Sequence, residues 1–88
     1  MELKVTTRTA LDESGTCRTY HYFLLIDQIV SGNFACEDYG VQIQEENGDC
    51  ASIPGITTSA MRIDELITLL VEHKVGPTAL ADVIADWL

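Results

Sequence analysis

Three cysteines, two histidines and fourteen carboxylates are the side chains of this 88-residue chain that could do chemistry. Cys17 and His21 stand four apart. On a helix that spacing puts both on one face, where they could share a metal ion. On a strand it separates them by about 13 Å, too far for one ion. The segment around them, "CRTYHYFLLIDQIV", is rich in aromatic and β-branched residues and reads as a strand. A small thiol and a sheet-surface imidazole are therefore expected there, and no metal site. A Cys–His nucleophile pair forms only where the residues meet in space. No family-specific local signature surrounds Cys17, Cys36 or Cys50. His73 suits the C-terminal end of a helix, where the dipole favours positive charge. The acidic pairs Glu37-Asp38, Glu45-Glu46 and Asp64-Glu65 are adjacent in sequence, so their side chains diverge on strand or helix and make poor shared acid–base sites. "EENGD" lacks the ligand spacing of a calcium loop, and no glycine cluster precedes a Lys-Ser or Lys-Thr. The expectation is no catalytic residue, no metal and no cofactor.

Charge narrows the partners. The chain carries 14 acidic against 5 basic residues, a net −9. The basic ones, Lys4, Arg8, Arg18, Arg62 and Lys74, are scattered singly. Neutralising phosphates requires clustered Lys or Arg, so neither nucleic acid nor an anionic membrane surface is expected as a partner. No apolar run approaches the roughly 20 residues that span a bilayer. The opening "MELKVTTRTALDESG" has no signal-peptide pattern, and the odd cysteine count suits reduced thiols; a cytoplasmic protein is expected.

The elements that must position these residues are legible in the periodicity. Residues 2–11 alternate apolar and polar, as a half-buried strand does. After the "DESG" turn comes a second strand, apolar on both faces: Tyr20, Tyr22, Leu24 and Ile26 on one, His21, Phe23, Leu25 and Ile29 on the other. "SGN" breaks it. "YGVQIQ" centres a third strand, and "ENGD" predicts a type I′ hairpin turn into "CASI", a fourth strand stopped by Pro54-Gly55. The period then shifts to that of a helix. Ile63, Leu66, Ile67, Leu70 and Val71 form one stripe, N-capped by Thr58 or Ser59 and closed by Gly76. Pro77 opens a second helix whose stripe is Leu80, Val83, Ile84, Trp87 and Leu88. The predicted fold is α+β in a single domain, 1–88: a four-stranded antiparallel β-meander (1–54) followed by a C-terminal two-helix hairpin (58–88) packed on one face. Trp87 is expected to seal the core.

"YGVQIQ" followed by "ITTSAMRIDELITLLVEHKVGPTALADVIADWL" resembles a family of small, acidic, uncharacterised proteins of clostridia and related Firmicutes. The similarity covers about residues 20–88, and "VGPTALADVIADWL" is its most specific part. Gly76 stands where a serine before the proline is commoner in that family. The resemblance implies a fold and a cytoplasmic location and assigns no chemistry.

The functional expectation is a non-catalytic protein-interaction or regulatory module of unidentified partner, able to form a homodimer. Its surface is expected at Phe23, Leu25 and Phe34, which the helices leave uncovered. An alternative is an acidic nucleic-acid mimic that blocks a basic groove. A second alternative is a small ligand-binding domain or enzyme, although so short a chain spares little core volume for a ligand.

Overall fold

The computed structural model describes residues 1–88, apart from the side chain of Ser31. Four strands, β1 (Glu2–Leu11), β2 (Cys17–Ser31), β3 (Phe34–Glu45) and β4 (Cys50–Thr57), form one antiparallel sheet in sequence order. Helix α1 (Ala60–Glu72), a 3₁₀ turn at Pro77–Ala79 and helix α2 (Leu80–Trp87) follow. The predicted α+β meander with two C-terminal helices is the fold.

The core lies between the sheet and the helices. Tyr22, Val41 and Ile43 from β2 and β3 meet Ile63, Leu66, Ile67 and Leu70 of α1, and Val75, Leu80 and Ile84 beyond it. Burying each such side chain contributes roughly 1.5–3 kcal/mol, which is what holds short helices that are marginal alone in water. The Tyr22 hydroxyl is buried with them and donates to the Val75 carbonyl at 2.9 Å, tying β2 to the chain after α1. Burial pushes that phenol's pKa up to about 12.

Helix α1 begins as expected: Ser59 is the N-cap, and its Oγ accepts from the Arg62 N–H. Its end differs from expectation. Lys74, not Gly76, takes the left-handed conformation (φ 50°). The Val75 N–H donates to the Leu70 carbonyl and the Lys74 N–H to Val71, with Val75 and Leu70 both buried. These are the two bonds and the apolar contact of a Schellman ending, with lysine in the place glycine usually takes. Gly76 instead makes room for an aromatic ring, since a Cβ there would sit 3.2 Å from Tyr20. Trp87 also departs from expectation. It is half-buried against the core, with the Arg62 guanidinium 4.3 Å from its ring centroid, and Leu88 beside it is exposed.

β4 does not stop at Pro54-Gly55. It runs on to Thr57 through a bulge, in which Pro54, Gly55 and Ile56 lie against the single residue Gly40. The bulge brings the Ile53 carbonyl so near Gly40 that a Cβ would overlap it, and Gly55 supplies the positive φ (66°). The "ENGD" turn forms, but with Asn47 alone among its non-glycine residues at positive φ (60°) and Gly48 outside that region; it is not type I′.

Candidate functional site: the arm at the end of the sheet

Strand length decides what is left uncovered. β1 pairs with β2 from Leu11–Cys17 to Glu2–Leu25, with Met1 and Ile26 hydrogen-bonded beyond it. β4 leaves β3 at the Tyr39–Thr57 pair. The β2–β3 hairpin continues past both, through Asp27–Asp38, Gln28–Glu37, Ile29–Cys36 and Val30–Ala35 to Ser31–Phe34. Residues 27–38 are thus a two-stranded arm projecting from a four-stranded body. An isolated two-stranded ribbon is marginally stable in water.

The arm is apolar where it has least support. Phe34 is 81% exposed, Val30 71%, and Ile29 is exposed as well. At its base the chemistry turns acidic: Asp27 lies directly opposite Asp38, a like-charge pairing that costs stability. On either side of Asp38 along β3, the Tyr39 hydroxyl donates to the Glu37 carboxylate at 3.1 Å, which raises the tyrosine's pKa. No Lys or Arg occurs between Arg18 and Arg62, and six acids do. They gather at the two ends of the ribbon, with Asp27, Glu37 and Asp38 on the arm and Glu45, Glu46 and Asp49 at the far turn. Between them the open face carries Gln42, Gln44, Phe23 and His21.

Of the three surface residues read from the sequence, Phe23 and Leu25 do face away from the helices, but both are half-buried. A polar strap crosses above their strand: Gln42 Nε2 donates to Glu2 at 3.2 Å, and Ser52 Oγ donates to Gln42 at 2.8 Å, linking β1, β3 and β4. Phe34 pairs with position 31, six residues beyond Leu25, or about 20 Å along the strand. The three do not form one patch. Ile29 shares Phe34's face of the arm instead, and Val30 lies exposed on the opposite face.

The reactive side chains stay apart. His21 Nδ1 lies 3.0 Å from Thr7 Oγ1, and Cys17 pairs across from Leu11, four residues along the same strand from His21. Cys50 lies two strands over from His21, past Gln44, about 10 Å away in the sheet. All three cysteines are exposed and free. Among the described residues no three His, Cys, Asp or Glu are placed to hold a metal ion. A shallow concavity beside the arm is lined by Gln28, Cys36, Glu37, Tyr39 and Thr58, with no histidine in it.

The other end of the sheet is built differently. Asp12 Oδ1 accepts from the N–H groups of Ser14 and Thr16 and from the Ser14 hydroxyl, closing the β1–β2 turn. Arg18 bridges Asp12 and Glu45. The Ser14, Thr16 and Arg18 bonds hold the Asp12 pKa down at about 2.

The whole chain, residues 1–88, matches the model of a family of unknown function, DUF6514. The chain belongs to that family. No curated protein and no solved structure matches it. Among the described residues of this DUF6514 member no helix is long and apolar enough to cross a membrane.

Proposed function

We propose that this DUF6514 protein is a non-catalytic interaction module that docks through its β2–β3 arm. One observation carries the reading: the molecule's most exposed aromatic residue, Phe34, sits with Val30 and Ile29 at the tip of a ribbon that neither the body nor the helices cover. Exposed apolar side chains scattered singly need no partner. Ile29 and Phe34 share one face of the projecting hairpin and Val30 lies on the other, so both faces of the tip gain free energy by being covered. The separation of every cysteine from His21 supports the non-catalytic part. A cytoplasmic location belongs to the same proposal, supported by three exposed thiols that suit a reducing compartment.

The test is position-specific cross-linking in the cells the protein comes from. A photoreactive benzoylphenylalanine replaces Phe34 in one chain and the exposed Ala81 of α2 in another. Protein adducts, to another copy or to a different protein, should form from position 34 and be weak from position 81. Equal yields from both positions contradict docking through the arm.

A further inference from the structure

Resting on that reading, we propose that the occupant of the arm is a second copy of this chain, paired edge to edge along residues 27–31 of β2 in antiparallel register about a two-fold axis at Ile29.

Backbone parity points to this segment. Ile26 donates its N–H to the Met1 carbonyl at 2.7 Å, and its carbonyl accepts from the Met1 amine at 2.6 Å. In an antiparallel ladder alternate residues send both polar groups to the same flank. Gln28 and Val30 therefore direct their N–H and C=O groups away from β3, on the flank where β1 pairs no further. A two-fold axis at Ile29 sets Gln28 across from the second copy's Val30, and Val30 across from the second copy's Gln28. Those two pairs supply four N–H···O=C bonds. Ile29 faces itself at a non-hydrogen-bonded position, where Cα atoms approach to about 4.5 Å. Ile29 and Phe34 of both copies then lie on one face of a four-stranded ribbon, and Val30 with Ala35 on the other.

The remaining edges are guarded. β1 carries Lys4, Arg8 and a register shift between Lys4 and Thr6, and β4 carries Pro54, which has no N–H to offer. Residues 27–31 have no Lys, Arg, Pro or bulge. The outer flank of β3 on the arm is less suited, because Glu37 and Asp38 of each copy bring four carboxylates to a two-fold contact there. Along β2 there is one acid per copy, Asp27, and it lies across from position 31 rather than from another carboxylate. Only a short segment pairs, so the contact belongs with the small, transient interfaces, with a Kd on the order of micromolar or weaker. Two chains of net −9 repel one another, so salt should strengthen the dimer.

Sedimentation equilibrium of the full chain up to about 1 mM should show a monomer–dimer equilibrium that tightens several-fold as salt is raised. Val30→Pro removes an outward N–H and no bond of the β2–β3 ladder, so it should abolish the dimer and leave the monomer folded by circular dichroism. In a chain with Cys17, Cys36 and Cys50 replaced by serine, Ile29→Cys should oxidise to a covalent dimer at least tenfold faster than Gln28→Cys, whose position faces the second copy's Val30. A strict monomer at both salt concentrations, a dimer indifferent to Val30→Pro, or equal oxidation at positions 28 and 29 overturns the proposal. If the chain is strictly monomeric while position 34 still cross-links to a different protein, the second-copy occupant fails and docking through the arm stands.

Discussion

The two ends of the β2–β3 ribbon share strands, pairing and hairpin connection, yet they stand in opposite relations to water. At the root Tyr22 pairs with Ile43 and Leu24 with Val41, and Tyr22, Val41 and Ile43 are 2% exposed or less under the helices. At the tip Ile29, Val30 and Phe34 are just as apolar and lie in solvent. The difference comes from the neighbours: β1 and β4 flank the root, and neither reaches the tip. Burial in this molecule is thus set by where adjacent strands end. An apolar pattern that outruns its neighbours is left for something else to cover.

The comparison can be broken by truncating each end. Ile43→Ala at the root should cost about 2–5 kcal/mol in urea unfolding, because the cavity it leaves is sealed on every side. Phe34→Ser at the tip should change stability by no more than about 0.5 kcal/mol while abolishing the cross-link yield of the arm, read at a neighbouring probe position. Equal costs at the two ends would show that the tip is already packed.

A smaller effect is expected at Tyr22. Replacing it with phenylalanine strands the buried Val75 carbonyl and should cost about 1–2 kcal/mol. The same hydroxyl gives an alkaline limit. Its folded pKa, about 12, exceeds the ordinary 10.0, so its contribution is complete below pH 10 and fades as pH rises toward 12. Tyr22→Phe should flatten that part of the stability–pH curve.

Lys74→Gly should raise stability by roughly 0.5–1 kcal/mol, since glycine adopts the left-handed helix ending without a Cβ clash. The smallest effect belongs to the Asp12 turn. Its depressed pKa means that its contribution is present above the ordinary carboxylate value of 3.8 and is lost as pH falls through about 2. Asp12→Asn should remove that acid-limb slope in pH-dependent unfolding and lower the neutral-pH midpoint slightly, the turn being exposed to solvent.

Periodicity carried most of the architecture. The two-sided apolar run of β2 and the α1 stripe mark elements found where they were expected, down to the Ser59 cap. Residues 2–11 form the expected strand, but none of it is buried, and the register shift between Lys4 and Thr6 puts Leu3 and Leu11 on opposite faces. Three features were hidden, each for a physical reason. Pro54-Gly55 reads as a stop, yet a strand passes through it because Gly40 has no Cβ to obstruct the bulge. Lys74 takes a glycine's conformation because burying Val75 against Leu70 outweighs the local strain. Trp87 packs against the core at the edge of the helix layer and keeps part of its surface in solvent, with one face of its ring covered by the surface residue Arg62 rather than by another element.

The candidate surface was half legible. Phe34 stands out as an aromatic residue beside a turn, and Ile29 was already on the open face. Alternation says which side a residue takes, and it is silent on whether a neighbouring strand extends that far. Phe23 and Leu25 therefore looked as uncovered as Phe34, although the Glu2–Gln42–Ser52 strap crosses their strand.

Residue-resolved amide hydrogen exchange at low and high protein concentration tests the contrast between root and tip most directly. Root amides such as those of Tyr22 and Ile43 should be strongly protected at both concentrations. The outward N–H groups of Gln28 and Val30 should exchange freely when dilute and become protected as concentration rises. Protection of Gln28 and Val30 in dilute solution, or free exchange at every concentration and with every protein that cross-links at position 34, would contradict an arm built to be covered by pairing.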